Sequence, residues 1–206
     1  MKSFENYENN NEKNINGTII FTIAIIISLS ALIYTIAGMT SKSTTVSSSL
    51  SASENMFPAN DLKQAPELKN GDWINSEPLS LAELKGRVVL IDFWTFGCYN
   101  CRNTLPTLKK FDEHYRDKGL TIIGVHTPEF DSEKKIENVR SNVNKLGIKY
   151  PVLTDNEFET WNAYGVRAWP SVFILDKQGR IRYTHVGEGR YDEQEQVIKT
   201  LLNEKE

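Results

Sequence analysis

Two rhythms of apolar and polar residues alternate along residues 60–206. VVLIDFW (88–94) is an apolar run broken only by Asp92, the pattern of a strand covered on both faces. Leu105, Leu108, Phe111 and Tyr115 then recur at helical spacing, and Gly119 marks the exit. LTIIGVH (120–126) predicts the next buried strand. Ile136, Val139, Val143 and Leu146 form the stripe of a second helix closed by Gly147. A short strand over 150–153 and a small helix near 157–164 follow. SVFIL (171–175), a tight turn at DKQG (176–179) and the alternating IRYTHV (181–186) predict an antiparallel pair. Val197, Ile198, Leu201 and Leu202 turn a last helix inward. The order β-α-β-α-β-(α)-β-β-α calls for right-handed crossovers in its first part and a hairpin plus helix at its end. The expected architecture is α/β, a central mixed β-sheet flanked by helices.

The pattern differs before residue 60. Residues 14–41 carry no charge, and TIIFTIAIIISLSALIYTIAGM (18–39) would span about 33 Å as a helix, enough for a hydrocarbon core of about 30 Å. A cleaved signal peptide is the competing reading. Its apolar region is shorter, however, and Ile36-Ala37-Gly38 is a poor cleavage site. One N-terminal transmembrane helix at 18–39 is therefore expected, after a short tail (1–17). A flexible Ser/Thr-rich linker (40–59) leads to a folded domain over 60–206. Lys2, Lys13 and Lys42 bias the orientation only weakly. The expected location is the cell membrane, single-pass, with the folded domain on the extracytoplasmic side, where a disulfide persists.

Charge narrows the function classes. A net charge of -3, with basic pairs interleaved among acids, argues against nucleic-acid binding. The chemistry then rests on the two cysteines in the chain, Cys98 and Cys101. A zinc site needs four ligands, and His114, His126 and His185 do not supply the required spacing. A staple across two residues closes almost no loop. Cys98-x-x-Cys101 between a buried strand and an amphipathic helix is instead the arrangement of a redox pair. Cys98 falls at the helix N-terminus, where free N–H groups and the helix dipole favour a thiolate. Cys101, one turn on, can resolve a mixed disulfide. Asp92 interrupts the strand, and a buried carboxyl with a raised pKa there could exchange a proton with Cys101. Pro170, after Trp169, opens a strand in the commonest setting for a cis bond.

The stretches WINSEPLSLAELKGRVVLIDFWTFGCYNC, GVHTPEF, WNAYGVRAWP and LDKQGRIRYTHVGEG carry a resemblance. Residues 73–203 resemble the thioredoxin superfamily in its membrane-tethered TlpA/ResA-like branch, and within it the thioredoxin-like (redoxin) C-terminal domain of DipZ-type proteins. The resemblance implies a thioredoxin fold with an elaborated N-terminus and an insertion before the last hairpin. It implies Cys98 as nucleophile, Cys101 as resolving cysteine, a redox-active Cys98–Cys101 disulfide, Pro170 as the cis-proline facing the pair, and Asp92 as the buried acid. Substrate is expected to dock as an extended segment beside Pro170, with Trp94 and Trp169 as contacts. Tyr99-Asn100 replaces the usual Gly-Pro between the cysteines and is expected to tune the redox potential. His126 is expected to pack and shape its loop. The implied function is a membrane-anchored extracytoplasmic thiol-disulfide oxidoreductase with no metal or other cofactor. Its partners would be protein thiol/disulfide substrates and a CcdA/DsbD-like membrane electron donor. A redoxin-type thiol peroxidase and a non-catalytic thioredoxin-fold binding module are the alternatives.

Overall fold

The apolar run 88–94 becomes a strand through the middle of a sheet and is buried along its whole length. The computed structural model describes residues 56–57 and 62–205. The expected tail (1–17), anchor (18–39) and most of the linker (40–59) lie outside the described residues. Among the described residues, no helix is long and apolar enough to cross a membrane. The body's packing begins ahead of the expected edge at residue 60. Met56 is buried in the core, and Phe57 N–H donates to the Arg182 carbonyl at 2.8 Å.

In chain order the elements are β1 (Trp73–Ile74), β2 (Val88–Trp94), α1 (Tyr99–Tyr115), β3 (Leu120–His126), α2 (Ile136–Lys145), β4 (Val152–Thr154), α3 (Glu159–Ala163), β5 (Ser171–Leu175), β6 (Ile181–Val186) and α4 (Tyr191–Asn203). Short 3-10 turns occupy Arg116–Lys118 and Asp131–Lys134. Among the described residues the strands make one sheet, ordered β1-β4-β3-β2-β5-β6. The pairs β2·β3 and β3·β4 are parallel; β2·β5, β5·β6 and β1·β4 are antiparallel. The expected mixed sheet is what forms.

Alternation along β2 sends its side chains to two cores. Val88, Leu90 and Trp94 join Leu105 and Leu108 of α1, Val139 and Val143 of α2, and Val197, Ile198 and Leu201 of α4. Val89, Ile91 and Phe93 join Leu81, Leu84, Trp161 and Tyr164 on the other face. That second face is covered by α3 and by the turns before β2 more than by long helices. Leu90 is wholly enclosed. Leu90→Ala is expected to cost about 3 kcal/mol in urea unfolding, from lost transfer energy and a residual cavity.

Two boundaries move from their expected places for local reasons. The strand expected over 150–153 begins at Val152 because Pro151 has no N–H for the ladder; its carbonyl instead accepts Gly124 N–H at 2.9 Å. The small helix starts at Glu159, where the Asp155 carboxylate accepts Thr160 N–H at 3.0 Å and Trp161 N–H at 2.8 Å. Those are two of the free donors of a helix N-terminus. The two-residue β1 had no periodic signal, because two residues are too few to show one.

Candidate active site

The redox pair sits where β2 hands over to α1. After Trp94 the chain turns through Thr95, Phe96 and Gly97, and Cys98 N–H donates to the Thr95 carbonyl at 3.3 Å. Cys98 is the N-cap of α1, in extended backbone conformation. Its Sγ accepts Cys101 N–H at 3.1 Å, so a sulfur occupies the place of an N-cap oxygen and takes up a free donor of the first turn. Cys98 and Cys101 form a disulfide. Cys98 is half-buried, whereas Cys101 is completely buried. An incoming group can therefore reach the first sulfur and not the second. Tyr99 and Asn100 between them are exposed, with Tyr99 68% accessible.

The other expected residues converge on the same end of the sheet, with one change of role. The Trp169–Pro170 bond is cis. Ser171, which follows it, pairs with Phe93 near the end of β2, so the proline loop and the cysteine turn share one end of the sheet. Trp169 is half-buried, packs against both cores, and lies 4.4 Å from the Trp161 ring between centroids. Trp94 was expected to contact substrate. It is instead completely buried, on the face of β2 that joins the core holding Cys101. The even positions of β2 point inward under α1, so Trp94 is a wall behind the pair and not a surface contact.

Asp92 shares that inward face. It is completely buried, and neither carboxyl oxygen has a hydrogen-bond partner. Burial pushes its pKa up to about 7, because a charge removed from water without a partner is strongly disfavoured. Its register neighbour on β3 is Gly124. A Cβ there would lie 2.8 Å from Trp94 Nε1 and 3.3 Å from Tyr150 Cε2, so glycine leaves the room those rings fill. No cation is among the causes that set the acid's pKa.

His126 ends β3 and is buried. Its Nε2 lies 3.2 Å from Thr95 Oγ1, and its ring stacks on Phe96 and meets Trp94 edge-on. Burial lowers its pKa to about 4, against a smaller opposing pull from Glu133, so the imidazole is neutral near pH 7. The expected packing and loop-shaping role fits this geometry. Glu133 itself was not picked out from the sequence. It lies in PEFDSEKK, where one acid among several carries no distinguishing signal, yet it alone in that run closes onto the residue before Cys98.

Together, the sheet order, the cysteine pair at the N-terminus of α1, the cis-proline on the adjoining loop and the buried acid define a class. It is a thioredoxin-superfamily domain of the TlpA/ResA/DipZ-like type, the build of thiol-disulfide oxidoreductases. The model of the AhpC/TSA family matches residues 62–184, and the chain belongs to that family. It is 42% identical over 144 residues to Protein DipZ of Mycobacterium tuberculosis, covering 68% of this chain and 21% of DipZ. The chain thus spans about a fifth of that relative's length. It is 30% identical over 139 residues to the thiol-disulfide oxidoreductase ResA of Bacillus anthracis, covering 68% of this chain and 77% of ResA. Among solved structures, it is similar to a thiol-disulfide isomerase from Corynebacterium glutamicum (TM-score 0.62, 28% identity, 68% of this chain and 98% of that one). A putative thiol:disulfide interchange protein DsbE from Chlorobium tepidum is also similar (TM-score 0.61, 26% identity, 69% and 97%).

Proposed function

We propose that this chain is a membrane-anchored thiol-disulfide oxidoreductase whose redox domain works outside the cytoplasm. The observation that carries the chemistry is the unequal burial of one disulfide: Cys98 reachable at the helix N-cap, Cys101 enclosed in the core that the Asp92 face of β2 joins. In the reducing direction, Cys98 thiolate attacks a substrate disulfide, and one substrate sulfur leaves as a thiolate. Cys101 loses its proton to Asp92 and attacks Cys98 Sγ. The second substrate sulfur then leaves, so the substrate gains two electrons and the pair becomes a disulfide. The helix N-terminus and Cys101 N–H favour the Cys98 thiolate. An extended substrate segment would lie beside Pro170 and Trp169, with the exposed Tyr99 and Phe130 as apolar contacts.

Re-reduction calls for a membrane electron donor of the CcdA/DsbD kind, and the uncharged run 18–39 supports an anchor that would keep the domain near it. A peroxidase is less well supported. Thr95 is completely buried with its hydroxyl against His126, not offered to the nucleophile. The test is reduction of insulin disulfides by the full-length chain with a dithiol as electron source, set beside hydrogen peroxide consumption. Turnover of insulin without peroxide consumption is the expected result; the reverse would sink the proposal. For location, a membrane-impermeant maleimide applied to intact reduced cells should label Cys98 in the membrane fraction.

A further inference from the structure

Glu133 is a charged side chain with a place that the exchange chemistry does not use. It is 1% exposed. Its Oε1 accepts Gly97 N–H at 2.9 Å, and its Oε2 accepts Glu129 N–H at 2.7 Å and Phe130 N–H at 3.1 Å. One carboxylate thus ties the loop after β3 to the turn that leads into Cys98. A Cβ placed on Gly97 would run into that carboxylate, so glycine is what lets it come so close. Among the described residues, no lysine or arginine pairs with it. Three amides hold the charge without neutralising it.

The other groups around Cys98 do not cancel that charge. The positive end of α1 and Cys101 N–H face the sulfur and favour its thiolate. His126 on β3 is buried and neutral near pH 7. Asp92 lies behind the pair on β2, and Tyr99 and Arg102 face solvent on the first turn of α1. Glu133 is the group that opposes the helix end from the side of the cysteine turn.

We propose that Glu133 is a positioning and redox-tuning residue: it fixes the turn before Cys98 and holds a negative charge against it, which keeps the pair at the reducing end. The inference rests on the thiol-disulfide exchange reading. A thiolate next to an anion is less stable, so the dithiol holds its two electrons less tightly and gives them up more readily to a substrate disulfide. The reaction favoured is the pair's two-electron, two-proton oxidation coupled to reduction of a protein disulfide. That supplies a direction of electron flow that Tyr99-Asn100 leaves open.

The experiment equilibrates the full-length chain with glutathione buffers and measures the rate of Cys98 alkylation by iodoacetamide at neutral pH. Glu133→Gln is expected to raise the equilibrium constant for reduction of the disulfide by glutathione about tenfold, equivalent to about 30 mV. It should also speed alkylation several-fold. Glu133→Asp, which keeps the charge, should stay within about twofold on both readouts even if its thermal midpoint falls. A Glu133→Gln protein that loses thermal stability but matches the wild type on both readouts makes the residue a structural clamp only and overturns the proposal. The wild-type chain gives a second test that does not depend on any variant folding. Its disulfide should stay mostly oxidised against millimolar glutathione, and near-complete reduction would overturn the proposal. A wild-type chain that reacts with neither glutathione nor dithiothreitol would sink the exchange reading itself.

Discussion

Cys98→Ser is expected to abolish insulin reduction, with a loss of at least about 10³-fold, because a serine hydroxyl supplies no thiolate to attack a disulfide. Cys101→Ser should fail differently. Its Cys98 can still form the mixed disulfide but has no neighbour to resolve it, so a covalent complex with substrate should accumulate and be visible on non-reducing gels. The difference follows from burial. Cys98 is half-exposed at the N-cap, and Cys101 is enclosed one turn into α1. Should Cys101→Ser keep full turnover, the assigned roles would be wrong. Equal trapping by both serine variants would mean that the second sulfur is reachable too, contrary to its burial.

Asp92→Asn is expected to slow exchange about 100-fold, the lower end of what a positioned acid or base contributes. The loss should fall on the resolving step. In the wild type, rate against pH should show a group titrating about 7, the value to which burial pushes this acid, and the variant should lose that limb. Stability carries a second signature. A carboxyl whose pKa rises from 3.8 to about 7 on folding keeps its proton in the folded state over that window, while the unfolded chain releases it. The folded state's advantage is thus complete below about pH 4 and is lost as pH rises to about 7, a cost of about 4 kcal/mol at pH 8.

His126 works the other way. Its pKa falls from 6.5 to about 4 on folding, so its contribution is present above about 6.5 and lost as pH falls through 4. The two slopes oppose each other over about pH 4 to 6.5, and the wild type should be nearly level there. Urea unfolding of Asp92→Asn should uncover stability that rises with pH in this window. His126→Phe should uncover the falling limb. If neither single variant departs from the wild-type pH profile, the buried acid and imidazole do not titrate as their burial requires.

The long elements were legible because their signals are local. VVLIDFW, LTIIGVH, SVFIL and IRYTHV form strands over the same residues that pattern predicts. The stripe Leu105, Leu108, Phe111, Tyr115 is the buried face of α1. The cysteine pair was legible for the same reason: spacing, strand and helix all lie within one short run. Glu133, Thr95 with His126, and Tyr150 beside Trp94 were not. Their partners lie on other strands and loops, and nothing in a residue's neighbours along the chain marks which acid or hydroxyl will be enclosed. Trp94 shows the same limit in reverse. An aromatic near a redox pair is as plausible a contact as a wall, and only its side of β2 decides.

The sequence by itself determined the alternation of strands and helices, the redox-type cysteine pair at a helix start, the odd acid in a buried strand and the Trp169-Pro170 step. Each of these depends on residue type and spacing, and so on short-range sterics, periodicity and helix-end electrostatics. Tertiary structure alone decided which sulfur is reachable, that Asp92 has no partner and holds its proton to about pH 7, and that Glu133 closes over Gly97. Those facts depend on desolvation and on contacts between residues far apart in the chain. Only folding creates such contacts, and they surround the cysteine pair that brackets Tyr99 and Asn100.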